Sequence, residues 1–545
     1  MKKTIFLVFS FIIVAFGQPV WIRWLGFFSS FLGYALFFKT LFLFKEKKRF
    51  IIAFLWFFSV QAVNFSWMTS LNYVGYLFLI IYAMILAGTA LQFAIVSKFI
   101  KNLSLLKILC LSSLFVIFEW IRIFVLSGFS WNPIGMALSY SNYSLQLASL
   151  FGIYGLSFFV FFTNLLTLKI FFIDKIKVKK IFVLILIIIF PFVFGFLNQN
   201  LQKINDKKKT LNVVLIQTGL YPSEKEIFAY RYKEFIHPLD QWERILNFLK
   251  KRKQKKIDII VMPEAALPFG AFQSFYLFKD FLKIWEKVFG MIDTSFLPPL
   301  EKPLSEKIGK HWKIANSYWV QAISNYFKSE VIIGLDDKDI IKNESYNAAF
   351  YFFPFDKKIL RYEKQILIPI VEYFPFNWCR KFASRYGISG CFTPGQIDKV
   401  LYGRVPLSIS ICSEETYSDF MRQKRKRGAD LFINIANDGW FPNSKLSRQH
   451  FEHGRIRAVE NGVPIIRACA TGVTGGVDCF GISFRKNIYE EKKSKALFIE
   501  VPLDSYKTLY SYCGDKLIIC ISIFLVIIFF IKKLNFNKNI FTDHK

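Results

Sequence analysis

The chain has 545 residues, 54% hydrophobic and 19% aromatic, with 66 phenylalanines. That apolar content, at a mean hydropathy of +0.35, excludes disordered and collagen-like classes, and eight cysteines are too few for a disulfide scaffold. Lys and Arg total 71 against 39 Asp and Glu, a formal charge of +32, which on so apolar a chain reads as cationic flanks of membrane spans and not as a nucleic-acid surface.

A helix crosses the hydrocarbon with about 20 apolar residues. Eight runs are predicted to do so: 4–16, 24–44, 50–67, 73–97, 106–127, 147–173, 181–198 and 517–532. The first is short and follows Lys2 and Lys3, so a signal peptide ending near Ala15-Phe16-Gly17 competes with a retained helix. The close succession of later spans favours the retained helix. Basic residues gather in alternate loops: Lys45, Lys47, Lys48 and Arg49; Lys98, Lys101 and Lys107; Lys169, Lys175, Lys177, Lys179 and Lys180; and Lys532, Lys533, Lys538 and Lys545 at the end. The other short loops (17–23, 68–72 and 128–146) hold only Arg23. Both termini are therefore expected inside and the segment between spans seven and eight outside. The predicted organisation is a seven-helix membrane region over 1–198, an extracytoplasmic domain over 199–515, and an eighth helix with a cytoplasmic tail over 516–545.

The outer segment carries strand-like runs at Val213–Gln217, Ile257–Met262, Val331–Leu335, Tyr346–Phe353, Pro406–Cys412 and Leu431–Ala436. Charged or amphipathic stretches separate several of them, which predicts a layered α/β domain. Three patterns deliver reactive groups. Ile257-Asp-Ile-Ile-Val-Met-Pro-Glu264 ends a buried-type strand in a carboxylate, and Lys364 precedes Pro369 and Glu372. Ser408-Ile-Ser-Ile-Cys412-Ser413-Glu414 ends an apolar strand in a thiol. A carboxylate, an ammonium and a thiol together suit acyl transfer. The thiolate attacks, Glu264 carries the proton, and Lys364 with the backbone N–H of Ser413 faces the oxyanion. Spacing alone leaves ordinary packing and surface charge open for each residue.

In that order the three segments resemble the carbon–nitrogen hydrolase (nitrilase) superfamily. With the spans, the chain resembles the bacterial apolipoprotein N-acyltransferases over almost its whole length. In the membrane part the resemblance rests on Phe118-Glu119-Trp120-Ile-Arg122, Gly128-Phe129-Ser-Trp131 and the run Leu145 to Ser157. In the domain it rests on Pro263-Glu264 with Ala266-Leu267-Pro268, Lys364, Pro369, Glu372, and Cys412 with Glu414. It also takes in Asn437-Asp438-Gly439-Trp440-Phe441, Gln449-His450-Phe451 and Arg457-Ala458-Val-Glu460-Asn461. The resemblance implies an αββα sandwich in the cytoplasmic (inner) membrane, with the domain on the periplasmic side, acting without a cofactor and as a monomer. It implies a ping-pong acyltransferase using Glu264, Lys364 and Cys412. A phospholipid would acylate Cys412, and a lipoprotein's N-terminal diacylglyceryl-cysteine would accept the chain. The family often has tyrosine where this chain has Ser413, asparagine where it has Ala470-Thr471, and Gln-x-Asn where it has Gln217-Thr-Gly219.

Glu372 and Glu414 are expected to orient Lys364 or balance its charge, against ordinary surface salt bridges. Trp440 and Tyr373 are candidates to line an acyl chain, or are core. Glu119 and Arg122, at i and i+3 in span five, form a structural pair or hold a lipid headgroup. The run Phe272 to Phe289 predicts an amphipathic helix, either an interfacial arm or a helix packed on the domain. His450 and His453 lack a third ligand for zinc, and no metal is expected. Cys379 and Cys391 could form a disulfide, but nothing in the sequence pairs them. The other readings are a membrane-tethered nitrilase-type amidase, a transporter or channel with an inert outer domain, and a non-catalytic lipoprotein-binding relative.

Overall fold

A computed structural model describes residues 2–89, 91–99, 103–125, 128–202, 209–225, 234–251, 256–290, 293–339, 341–369, 371–374, 392–396 and 399–542. Cys379 and Cys391 lie outside the described residues. The chain forms two compact units, one of Met1–Ile204, Val459–Gly462 and Tyr506–Lys545, the other of Asn205–Ala458 and Val463–Ser505.

The first unit is helical. Among the described residues, four stretches are long and apolar enough to cross a membrane: Leu25–Phe42, Gly75–Phe99, Ser144–Ile173 and Val178–Leu201, with a shorter apolar helix at Thr4–Phe16. The runs expected at 50–67, 106–127 and 517–532 coincide with helices Glu46–Asn64, Leu105–Ile121 and Asp515–Thr542. Phe182, Leu186, Phe190, Val193 and Leu197 stay exposed along Val178–Leu201, a face suited to lipid and not to water. The interior is aromatic, with Phe37 stacked on Trp56 and Phe115 on Phe161.

Among the described residues the expected spans 24–44 and 147–173 are interrupted where buried polar groups serve the breaks. A π-helical turn at Ser29–Gly33 splits the run 24–44. There Asn164 donates Nδ2–H to the Ser29 carbonyl (3.1 Å) and accepts the Ala35 N–H (3.1 Å), while Thr163 Oγ1 donates to the Ser30 carbonyl. The run 147–173 breaks at Gly152, with φ +64°. A Cβ there would stand 2.3 Å from the Tyr510 ring, so only glycine fits. The Ile153 N–H left open by the break goes to the Glu460 carboxylate at 2.8 Å.

The segment 128–146, expected as a short loop, instead holds buried 3₁₀ turns at Ile134–Tyr140 and Ser144–Leu147. Irregular backbone in apolar surroundings needs partners for its polar groups. Glu119 accepts the Ile134 N–H (3.0 Å), Ser157 Oγ accepts the Gly135 N–H (3.0 Å), and Arg122 Nη2 donates to the Trp131 carbonyl (3.0 Å). Glu119 and Arg122 thus both clamp this segment.

The second unit contains fourteen strands among its described residues: β1 Thr210–Gln217, β2 Ile259–Val261, β3 Tyr276–Leu277, β4 Ser305–Ile308, β5 His311–Ile314, β6 Glu330–Asp339, β7 Glu344–Phe352, β8 Ile359–Glu363, β9 Leu401–Tyr402, β10 Pro406–Ile411, β11 Leu431–Ala436, β12 Ile465–Cys469, β13 Gly475–Val477 and β14 Lys495–Pro502. They build two large sheets, ordered β14-β1-β2-β6-β7-β8 and β13-β12-β11-β10-β9, and a small one, β3-β5-β4. The central pairs β1/β2, β2/β6, β10/β11 and β11/β12 are parallel, and the edges are antiparallel. Parallel strands carry apolar residues on both faces, and side-chain alternation assigns each face a partner. Val213 and Leu215 of β1 join Ile259, Val261, Ile409, Ile411 and Ile433 in a core shared by the two sheets. Val214 and Ile216 instead join Trp242, Phe281, Trp285 and Trp319 from helices on the outer face. Phe432 of β11 meets Met421, Phe451 and Ala458 from helices Ser418–Lys426 and Leu446–Asn461. The layers run α–β–β–α.

Helix Phe278–Phe289 is part of that body. Phe281, Trp285 and Val288 are buried, and Trp285 stacks on Phe296 with centroids 4.7 Å apart. Its apolar face is covered by its own domain, so the interfacial arm gives way to the packed helix.

Candidate active site

Glu264, Lys364 and Cys412 each stand just past the end of a strand, β2, β8 and β10 respectively. Glu264 is 6% exposed. The neighbouring strand β6 comes so near that a Cβ on Gly334 would lie 2.6 Å from the Glu264 Cα. The Gly334 N–H donates to the Pro263 carbonyl (3.1 Å), and the Ala266 N–H donates back to the Gly334 carbonyl (2.9 Å). Ala265, at φ +42°, has its carbonyl held by Lys225 Nζ at 2.7 Å.

Lys364 is 1% exposed. Its Nζ lies 2.7 Å from Glu372 Oε1 and 3.8 Å from Glu264 Oε1. Asn347 Nδ2 donates to Glu264 Oε1 at 2.7 Å and reaches Glu372 Oε1 at 3.4 Å. The other oxygen of Glu372 accepts the Ile368 N–H (2.8 Å), which aims the carboxylate at the lysine. Burial works against the Lys364 charge, but Glu372, the Cys412 site and Glu264 outweigh it and hold the ammonium well above its ordinary pKa. Burial raises the Glu264 pKa, Lys364 opposes the rise, Glu372 adds to it, and the Asn347 hydrogen bond opposes it. Burial, and then the Glu264 charge, push the Cys412 thiol up, with Lys364 pulling it down. At rest the thiol therefore keeps its proton beside a carboxylate with raised proton affinity.

Cys412 opens a 3₁₀ turn, Cys412–Thr416, at φ +52°. A non-glycine residue in the left-handed region is uncommon and needs surrounding structure to hold it. Glu414 supplies part of the hold. It accepts the Ile411 N–H (2.8 Å), the Gln365 N–H (2.6 Å), the Ile366 N–H (3.2 Å) and the Tyr362 hydroxyl (2.8 Å). Glu414 thus ties the turn after the lysine strand to the start of the cysteine turn. Buried Lys424 lies beneath, with Nζ donating to Tyr362 Oη (3.3 Å) and the Ile409 carbonyl (3.0 Å).

Glu372 accordingly touches Lys364, whereas Glu414 acts on the backbone around it; both are buried and neither is a surface salt bridge. Ser413 is buried in the cysteine turn. Trp440 is 48% exposed and so is not a core residue. Tyr373 is partly buried and bridges to Pro369. Glu119 and Arg122 belong to the helical unit described above.

Sequence reasoning passed over Lys225, and weighed His450 only as a metal ligand. His450 in fact lies against the cysteine turn, with Nε2 3.0 Å from the Cys412 carbonyl and Nδ1 3.0 Å from Asp438 Oδ1. Arg467 pairs with Asp438 Oδ2 at 3.0 Å and with Glu415. No local signal marked this contact: Asp438 opens a 3₁₀ turn, and His450 lies inside helix Leu446–Asn461, 38 residues beyond Cys412.

Most of the αββα domain, residues 237–485, matches the family described as "Carbon-nitrogen hydrolase". Residues 5–166 match the "Apolipoprotein N-acyltransferase N-terminal domain". Relatives named apolipoprotein N-acyltransferase extend the similarity along the chain. One from Chlamydia pneumoniae is 29% identical over 96% of both chains. One from Chlamydia caviae is 30% identical over 94% of both, and one from Chlamydia trachomatis serovar D is 30% identical over 96% of both. The chain belongs to the apolipoprotein N-acyltransferase family.

Proposed function

We propose that this acyltransferase moves an acyl chain from a phospholipid, through a thioester on Cys412, to the α-amine of the diacylglyceryl-cysteine that begins a lipoprotein. The observation that carries the reading is the buried Glu264–Lys364 pair at 3.8 Å, electrostatically coupled to a thiol that stands in a left-handed turn. Glu264 takes the Sγ proton as sulfur attacks the ester carbonyl. Lys364 Nζ, kept charged by Glu372, and the Ser413 N–H face the oxyanion. Collapse of the tetrahedral intermediate expels the lysophospholipid oxygen, which takes the proton back from Glu264. In the second half-reaction the lipoprotein amine attacks the thioester, Glu264 removes its proton, and the Cys412 sulfur leaves and is reprotonated. Trp440, half exposed, and Tyr373 are the aromatic groups we assign to the acyl chain.

The same reading has eight spans, both termini in the cytoplasm, and the catalytic domain outside the bacterial inner membrane, where two lipidic substrates meet it. The enzyme works as a monomer without cofactor. Lipid orientation rests on the one-sided distribution of Lys and Arg in the short loops.

The test uses membranes holding the protein and a phospholipid with an alkyne-tagged acyl chain. The protein should take up label that hydroxylamine releases and that Cys412→Ser abolishes, and the label should pass to a diacylglyceryl-cysteine peptide. Label passing only to water would identify an amidase-type hydrolase instead. A folded protein that takes no label would be a non-catalytic lipoprotein-binding relative.

A further inference from the structure

Behind Cys412 lies a buried charged cluster that the acyl-transfer steps leave unused. His450 stands in helix Leu446–Asn461, Asp438 in the turn after β11, Arg467 on β12, and Glu415 in the turn after β10. All four are buried. The Cys412 carbonyl faces two side chains at once, Asn434 Nδ2 at 3.1 Å and His450 Nε2 at 3.0 Å. His450 Nε2 also lies 3.3 Å from Glu415 Oε1. The carbonyl and this carboxylate are both acceptors, so Nε2 carries the proton it shares with them. On the other side of the ring Nδ1 accepts from Arg467 Nη2 at 2.5 Å and lies 3.0 Å from Asp438 Oδ1, while the same Nη2 donates to Asp438 Oδ2 at 3.0 Å.

The carbonyl of Cys412 and the N–H of Ser413 belong to one planar peptide unit and point in opposite directions. Fixing the oxygen therefore fixes the direction of the N–H. Cys412 at φ +52° is in a conformation that an L-residue leaves unless it is held.

We propose that His450 is a positioning residue for the acyl-transfer reaction. Oriented by Arg467, which Asp438 in turn holds, it donates Nε2–H to the Cys412 carbonyl, and so holds the thiol in place and aims the Ser413 N–H at the oxyanion. The inference rests on the reading of Cys412 as nucleophile. It requires a donor at the position of Nε2, and that requirement separates it from a packing role for the ring. A glutamine in place of His450 can present its amide N–H near the position of Nε2, whereas asparagine reaches only as far as Nδ1.

The experiment follows single-turnover formation of the hydroxylamine-labile acyl-protein, in membranes with the full chain and the alkyne-tagged phospholipid, alongside thermal unfolding of each variant. Cys412→Ser is the control. Label retained in it would overturn the nucleophile reading and this inference with it, whereas its loss leaves His450 to be judged alone. His450→Ala should slow acylation at saturating lipid by about 10- to 100-fold, with the half-saturating phospholipid concentration changed by less than about threefold. His450→Gln should recover most of the lost rate, and His450→Asn should stay as slow as the alanine variant. Acylation at the wild-type rate in His450→Ala would overturn the proposal. So would equal rates in the glutamine and asparagine variants, and that pair decides the matter if the alanine variant does not fold.

Discussion

In the proposed reaction Glu264 serves as a base only when ionised, so acylation should rise as pH climbs through its pKa. Burial lifts that pKa, Glu372 lifts it further, and Lys364 and Asn347 pull it down. The acid limb of the rate should therefore lie above the ordinary carboxylate range. Glu372→Gln removes a negative neighbour and leaves Lys364 closer to serving Glu264 alone, so the limb should move to lower pH. The plateau should fall by roughly 10-fold or more, because Lys364 loses its 2.7 Å partner. A pH series of single-turnover acylation in the two proteins checks both, and a limb that moves upward would contradict the charge balance drawn here. Glu264 and Cys412 stood out locally because each follows an apolar run, whereas Lys364, preceded by Arg361-Tyr362-Glu363, was singled out only by the family resemblance. Lys225 and His450 were not legible, because their partners are remote in sequence. Lys225 meets the Ala265 carbonyl 40 residues on, and His450 meets the Cys412 carbonyl 38 residues back. Only the stacked sheets bring those groups together.

The elements were legible wherever burial imposed a period. The strand expected at Leu431–Ala436 is β11, and that at Val213–Gln217 is the greater part of β1. The one at Ile257–Met262 shortens to Ile259–Val261, because Asp258 turns back to bond the Asn212 N–H and Met262 leads out to Glu264. The small sheet β3-β5-β4 was not read, since strands of two and four residues are too short to show alternation. Amphipathic helix Phe278–Phe289 shows a different limit: a sequence displays an apolar face, but not what covers it. Its Trp285 lies within aromatic contact of Phe281, Phe289, Phe296 and Tyr326. Trp285→Ala should therefore cost about 3–5 kcal/mol, whereas Lys283→Ala on the exposed face should stay within about 0.5 kcal/mol. Thermal unfolding of the two variants measures the difference. A helix serving as a lipid-side arm would show the opposite, with stability unchanged in Trp285→Ala and only lipid turnover lost.

At the scale of the whole molecule, what matters is which side of the membrane the thiol faces. The helical unit presents apolar residues outward along Val178–Leu201, and it satisfies its irregular backbone internally through Asn164, Glu119 and Ser157. Both features belong to a polypeptide built for hydrocarbon. The cationic loops at 45–49 and 169–180 then set the direction of insertion, because translocating Lys and Arg is unfavourable. On the proposed count of eight spans, both ends share the side of those stretches, and the domain between the last two spans lies opposite. Two exposed lysines report on this, Lys47 in the basic first turn of helix Glu46–Asn64 and Lys307 on the β4–β5 hairpin of the domain. With each changed to cysteine in otherwise full-length protein, a membrane-impermeant maleimide added to spheroplasts should label Lys307→Cys above the wild-type background. Lys47→Cys should react only after permeabilisation. The reverse pattern would place the catalytic domain in the cytoplasm. Labelling of both from outside would mean that an even number of spans, not five, lies between the stretch at 45–49 and the domain. Only the reverse pattern would require the thiol to meet its lipid from a different leaflet than the one proposed.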